Sequence, residues 1–75
     1  MARLPVVSGR RAIRALIRAG FAAVAQKGSH VRLRGTRHGR MRVVVVPLHP
    51  EVAVGTLRSI LRQAAMTAEE FEGLL

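Results

Sequence analysis

The stretch that decides the fold runs from Lys27 to Pro47 and reads KGSHVRLRGTRHGRMRVVVVP. Polar and apolar residues alternate from His30 to Arg34, which is the period of a strand with one buried face. Residues Met41 to Val46 form a β-branched run that predicts a second strand, which Pro47 ends. The segment Gly35 to Arg40 contains two glycines and predicts a hairpin loop between them.

Toward the N-terminus, Lys27-Gly28-Ser29 indicates a turn. The alanine-rich segment from Phe21 to Gln26 fits either a strand or more helix, and Gly20 before it together with the turn after it favours a strand. Ser8 can cap a helix that begins near Gly9 and stops at Gly20. We expect its buried stripe to consist of alanines and three larger apolar residues, Ile13, Leu16 and Ile17.

Toward the C-terminus, the pattern predicts two more helices. Thr56, after Gly55, can cap the first of these, whose apolar stripe is Leu57, Ile60, Leu61 and Ala64. Thr67 and Glu70 have capping-box spacing and predict a short helix over 68–74, with Met66 and Phe71 as its hydrophobic staple.

These elements predict an α+β fold of order α-β-β-β-α. We expect a three-stranded antiparallel sheet with the helices on one face and a short extra C-terminal helix. Residues 1–75 are predicted to form a single domain in which residues 1–7 are a lead-in segment.

Positive charge dominates the composition. Thirteen basic residues, twelve of them arginine, face four acidic ones, and the net charge is +9. No acidic residue precedes Glu51, and a field of one sign over most of a domain attracts polyanions. Nucleic acid is favoured over an anionic membrane, because the chain has no Trp or Tyr and only two Phe. The predicted RNA-binding residues are Arg10, Arg11, Arg14, Arg18, Arg32 and Arg34.

Several residue types that other chemistries need are missing. The chain has no cysteine, which excludes disulfides, thiol nucleophiles and cysteine zinc sites. The basic region has no carboxylate pair, the histidines lack metal-ligand spacing, and no Walker phosphate loop occurs. The longest apolar run, Val43 to Leu48, is too short to span a bilayer. We therefore expect a cytoplasmic protein with no metal, no cofactor, no small-molecule substrate and no membrane partner.

The remaining tools are histidine, arginine, lysine and backbone amides, and these suit RNA cleavage. RNA supplies its own nucleophile, the 2′-hydroxyl, so the protein needs a proton carrier and positive charge for the phosphate. His30 is the best-placed histidine, because it follows the turn and shares a strand face with two arginines. His38 lies in the glycine-flanked loop and His49 between Leu48 and Pro50. The alternative for His30 is an ordinary polar residue on a solvated face.

Four segments occur in this order along the chain: Gly20-Phe21, Lys27-Gly28-Ser29-His30, the valine strand ending at Pro47, and the long stretch GTLRSILRQA from Gly55 to Ala64. Together they resemble the HicA family of mRNA interferase toxins from HicA–HicB toxin–antitoxin pairs. The resemblance covers about Ser8 to Leu75. It implies a fold like the double-stranded-RNA-binding domain and metal-independent cleavage of mRNA. It also implies that His30 is catalytic, with Lys27, Gly28 and Ser29 supporting it.

A HicB-like antitoxin is the partner that the resemblance implies. We expect it to be acidic or to carry a plugging segment, and to shield His30 and Val44. Leu33 stands where relatives often carry an aromatic residue, which predicts weaker base stacking. Two other functions remain open at this point: a non-catalytic RNA-binding module of the same fold, and a subunit that only binds a partner.

Overall fold

The computed structural model describes residues 3–75, and it contains a three-stranded antiparallel sheet of order β1-β2-β3. The elements in chain order are α1 (Gly9–Arg18), β1 (Ala22–Lys27), β2 (His30–Arg37), β3 (Arg40–Pro47), α2 (Val54–Ala64) and α3 (Ala68–Gly73). The predicted α+β fold of order α-β-β-β-α with a short extra helix is confirmed. Because β2 is the central strand, a residue on β2 has a neighbour on each side.

The β2–β3 hairpin is longer than the sequence suggested. The predicted loop from Gly35 to Arg40 is wrong, since β2 runs to Arg37 and only His38 and Gly39 lie outside the strands. Their φ angles of 52° and 73° are those of a type I′ turn, whose twist matches that of the flanking strands. Gly35 marks a close contact instead of a loop, because a Cβ there would lie 2.9 Å from the Phe21 ring.

The helix ends follow local signals in some places and tertiary contacts in others. Ser8 caps α1, with its Oγ accepting a hydrogen bond from the Arg11 N–H at 3.1 Å, as predicted. The prediction that Thr56 caps α2 is wrong, because the helix begins at Val54 after Ala53 and has no side-chain cap. Tertiary contacts anchor the chain just before α2: Val52 is buried and its N–H donates to the Val7 carbonyl at 2.8 Å.

One core cluster fills the space between the sheet and the helices. Its largest fully buried side chains are Phe71, Leu16, Leu33, Leu57, Ile60, Val44 and Val46. Burying each aliphatic side chain of this size contributes about 1.5–3 kcal/mol. The prediction that Ile17 faces the core is wrong, because Ile17 is 50% exposed and α1 packs through Ala12, Ala15 and Leu16. Val7, from the predicted lead-in, is buried in this core.

Hydrogen bonds fix α3 at the edge of this core. The predicted capping box is confirmed: Thr67 Oγ1 accepts from the Glu70 N–H, and Glu70 Oε1 accepts from the Thr67 N–H at 2.9 Å. Glu70 Oε2 pairs with the Arg37 guanidinium at the end of β2. Arg18 Nη1 donates to the Leu74 carbonyl at 2.8 Å. The hydrogen bond from the Thr67 N–H, and then the one from Arg37, hold the pKa of the Glu70 carboxyl below its usual value.

Glu70→Gln is expected to destabilise the fold in a pH-dependent way. A carboxyl whose pKa is lowered on folding contributes stability above its unfolded-state pKa, and this contribution is lost as pH falls through the folded-state pKa. The variant should therefore be less stable than wild type at pH 7, with the difference shrinking toward pH 3. Urea melts across this range measure it, with Glu72→Gln as the control on the same helix. A difference that does not change with pH would contradict the assignment.

Candidate active site

The β1–β2 turn places Lys27 and His30 opposite each other. They are register partners across the two-residue loop Gly28-Ser29, so their Cα atoms lie about 5.5 Å apart. Gly28 has φ 59° and Ser29 a negative φ, which is the pattern of a type II′ turn with glycine at its first central position. The turn therefore requires Gly28 for its shape, and it brings an ammonium group beside the imidazole.

Hydrogen bonds hold this turn from two sides. Gln26 Nε2 donates to the Gly28 carbonyl at 3.1 Å. The Leu48 N–H, just after β3, donates to the Ser29 carbonyl at 2.6 Å. His30 also pairs with Pro47 in the β2–β3 register. The loop is thus held both by β1 and by the residue that follows β3, which fixes where His30 begins β2.

The open face of the sheet, which is the face opposite the helices, is basic. The alternation predicted for β2 is confirmed, with Val31 and Leu33 buried and His30, Arg32 and Arg34 exposed. A groove of about 560 Å³ opens on this face, within the size range of ligand sites. Its lining residues are Ala25, Gln26, Lys27, His30, Arg32 and Val45. Over residues 3–75 the one ion pair is Arg37–Glu70, so no carboxylate neutralises the cations of this groove.

β3 supplies large apolar residues to the open face, but Val44 is not among them. Val44 is fully buried opposite Leu33 on the helix side, so the prediction that a partner shields Val44 is wrong. Met41 and Val43, at 61% and 46% exposed, are the most exposed apolar residues of β3 on the open face, and the half-buried Val45 lies in the groove on the same face. The stacking prediction for Leu33 is wrong for the same reason, because a fully buried residue cannot contact a base.

The other two histidines lie outside this groove. His38 lies in the turn at the opposite end of β2, roughly 25 Å from His30 at the rise per residue of a strand. His49 is nearer, two residues after Pro47, the register partner of His30. It is exposed and does not line the groove. Among the three, His30 is the one that faces a concave basic surface.

Within residues 3–75, no three histidine or carboxylate side chains come together in a way that could hold a metal ion. No helix in the same range is long and apolar enough to cross a membrane.

A known protein family matches most of this chain. The sequence model of the HicA toxin of bacterial toxin–antitoxin systems matches residues 9–66, from the first residue of α1 to just before α3. The chain belongs to the HicA toxin family. The resemblance carried by the Gly-Ser-His turn and the Gly55–Ala64 stretch is thereby confirmed, and membership implies a toxin with a cognate antitoxin. A search of the curated proteins found no match.

The arginines of α1 in this HicA toxin differ in their surroundings. All four predicted RNA-binding arginines of the helix are exposed: Arg10, Arg11, Arg14 and Arg18. Arg18 is engaged by the Leu74 carbonyl, so it helps to hold α3. Arg10 and Arg14 line a second groove of about 280 Å³ between α1 and β1.

Sequence reasoning missed Gln26, which braces the turn of this HicA toxin and lines both grooves. Its position directly before the Lys27-Gly28-Ser29 turn was the available signal. Alternation along a strand places Gln26 and Lys27 on opposite faces of β1, which is an edge strand.

Proposed function

We propose that this toxin is a metal-independent endoribonuclease that cleaves mRNA in the cytoplasm, with His30 as general acid and base. The observation that carries the proposal is the exposed His30 in a groove with Lys27 and Arg32 and no carboxylate among its lining residues. Within residues 3–75 no side-chain hydrogen bond engages the imidazole, so its nitrogens are available to a substrate. Family membership supports the toxin role.

The reaction uses the substrate's own nucleophile. His30 removes the proton of a 2′-hydroxyl, whose oxygen forms a bond to the adjacent phosphorus while the bond from phosphorus to the 5′-oxygen breaks. The departing oxygen takes a proton from an acid, for which the imidazolium serves. Lys27 and Arg32 stabilise the extra negative charge on the phosphate as it crowds. The products are a 2′,3′-cyclic phosphate and a 5′-hydroxyl.

RNA binding rests on unpaired cations around His30. Arg32 and Arg34 project from the open face, and an arginine fork can bind a phosphate through two parallel hydrogen bonds. The arginines of α1 extend the positive surface around β1. In this proposal Gly28 and Ser29 support catalysis by shaping the turn, and no small molecule, metal or membrane takes part.

A HicB-like antitoxin is proposed to cover the open face. Met41 and Val43 offer exposed apolar area beside the arginines, and this combination suits a partner with acidic groups around an apolar contact. Such a partner would block the groove of His30 directly.

A non-catalytic RNA-binding module is the second candidate function. It is favoured by one observation: the lining of the groove contains a single histidine and no carboxylate or second histidine that could serve as the other proton-transfer group. Both functions predict RNA affinity, so affinity alone does not separate them.

Cleavage in EDTA tests the proposal. Purified protein incubated with end-labelled mRNA and excess EDTA should give discrete fragments ending in 2′,3′-cyclic phosphate, because no step requires a metal. The same sequence made as DNA is the control and should stay intact, since it lacks the 2′-hydroxyl. Binding without cleavage would favour the RNA-binding module. A protein that neither binds nor cleaves the RNA would favour a subunit that only binds its partner.

A further inference from the structure

We propose that the groove between α1 and β1 is a subsite for a nucleotide of the same RNA strand that His30 cleaves. The strand would pass from the groove of His30 over the edge of β1, and the substrate would therefore be single-stranded on that side of the cleaved bond. This inference rests on the proposed nuclease function and adds a binding site and a substrate class to it.

The two grooves are continuous through one residue. Gln26 lines the groove of His30 and also the groove between α1 and β1. The side chain of Lys27 lies on the open face beside His30, whereas Gln26 pairs with Val31, whose side chain is buried on the helix side. Because β1 is an edge strand, no further strand within residues 3–75 covers its outer side. An RNA strand bound at Lys27 can therefore follow the edge of β1 past Gln26.

The second groove offers separate partners for a phosphate and a base. Arg10 and Arg14 are one helical turn apart on the same side of α1, and neither has a carboxylate partner within residues 3–75. Ile13 and Leu48 are half-buried and give an apolar surface on which a base can lie. Gln26 donates one N–H to the Gly28 carbonyl, which leaves its Oε1 as an acceptor for a base edge.

The path around the edge favours a single strand over a duplex. Its contacts begin on the open face at Lys27 and continue on the other side of β1 at Arg10 and Arg14. An A-form duplex is stiff and offers its phosphates on one regular surface, whereas an unpaired strand bends and exposes its bases for contact. The groove of about 280 Å³ is at the small end of ligand sites, which suits one nucleotide.

The test measures how cleavage depends on the length of the substrate. Oligoribonucleotides are built around the step that the toxin cuts and extended one nucleotide at a time on the 5′ or the 3′ side. For wild type, kcat/KM should rise on one side once the strand reaches the second groove. In Arg10→Gln/Arg14→Gln, the ratio of long-substrate to short-substrate kcat/KM should fall roughly 25-fold at 0.1 M salt. This figure assumes two lost phosphate contacts on a single strand, each with a log–log salt slope near −0.7, referred to 1 M salt.

Arg58→Gln/Arg62→Gln is the matched control. It removes the same charge from α2, where both arginines line a third groove that shares no residue with the other two. This control should keep the wild-type ratio. Equal losses in the two variants, or a kcat/KM that is flat with length, would overturn the subsite. So would equal cleavage after a complementary strand is annealed to the favoured flank. The absence of any cleavage by wild type would instead overturn the proposed nuclease function.

Discussion

His30→Ala is expected to lower the rate of RNA cleavage by about 10²- to 10⁴-fold, the range for losing a general acid or base. The fold should survive, because His30 is exposed and a surface substitution of this kind changes stability by about 0.5 kcal/mol or less. RNA binding should largely persist, since Arg32 and Arg34 remain. A cleavage gel in EDTA, an RNA-binding isotherm and a urea melt on the same preparation measure the three properties.

Three further variants serve as comparisons for His30→Ala. His38→Ala and His49→Ala should keep most of the activity, because neither residue lines the groove of His30. Lys27→Ala should be intermediate, since it removes charge near the phosphate but leaves the proton carrier in place. A folded His30→Ala protein that cleaves at the wild-type rate would sink the mechanism. The RNA-binding module would not replace it then, because cleavage would still need another catalytic residue.

Among the glycine-to-alanine changes, Gly9→Ala is expected to cause the largest loss of stability through steric overlap. A Cβ at Gly9 would lie 2.0 Å from the Pro47 carbonyl oxygen and 3.0 Å from the Leu48 Cα, both backbone atoms that cannot rotate away. Overpacking typically costs about 1–3 kcal/mol, and a contact this short belongs at or above the upper end. At about 4–8 °C per kcal/mol for a domain of this size, the melting temperature should fall by at least roughly 12 °C.

Gly55→Ala is the control for Gly9→Ala, because both glycines lie in the first turn of a helix. Among residues 3–75 nothing lies within 4 Å of a Cβ at Gly55, so alanine there should leave stability unchanged or raise it by up to about 1 kcal/mol. Thermal melts by circular dichroism compare the pair. If both variants have the melting temperature of wild type, α1 does not approach the end of β3 closely enough for a Cβ at Gly9 to lie 2.0 Å from the Pro47 carbonyl oxygen.

Gly9→Ala should also impair cleavage, although Gly9 lies outside the groove of His30. The Gly9 N–H donates to the His49 carbonyl at 2.9 Å, and the neighbouring Leu48 N–H holds the Ser29 carbonyl. Pushing α1 away from Pro47 and Leu48 therefore moves a brace of the catalytic turn. Residual activity measured well below the lowered melting temperature separates this effect from unfolding.

Local patterns were sufficient to predict most of the fold. The alternation in β2, the valine run in β3, the Ser8 cap and the Thr67–Glu70 capping box each depend on contacts within a few residues. The turn at Gly28 was also predictable, since a two-residue hairpin with glycine at its first position needs a positive φ there. His30, Arg32 and Arg34 could be placed on one exposed face because side chains alternate along a strand.

Predictions failed where a distant part of the chain decides the outcome. Gly35 resembled a loop glycine, but it makes room for the Phe21 ring. The start of α2 is set by contacts of Val52, not by Thr56. The even and odd valines of β3 could not be assigned to faces without the register, which buries Val44 and exposes Val43. The role of Gln26 could not be predicted either, because it depends on two grooves that meet at the edge of β1.

The hydrogen bond from the Val45 N–H to Gln63 Oε1, at 2.9 Å, closes part of the β3 edge. In the β2–β3 register, residues 41, 43, 45 and 47 of β3 direct their backbone polar groups away from β2, toward the free edge of the sheet. The N–H of Val45 is already bonded to Gln63, and Pro47 has no N–H. A foreign strand could therefore pair with only the half of this edge that lies near the His38-Gly39 turn. α2 thus gives the sheet a built-in stop on this side, which is one defence against uncontrolled polymerisation by edge-to-edge growth.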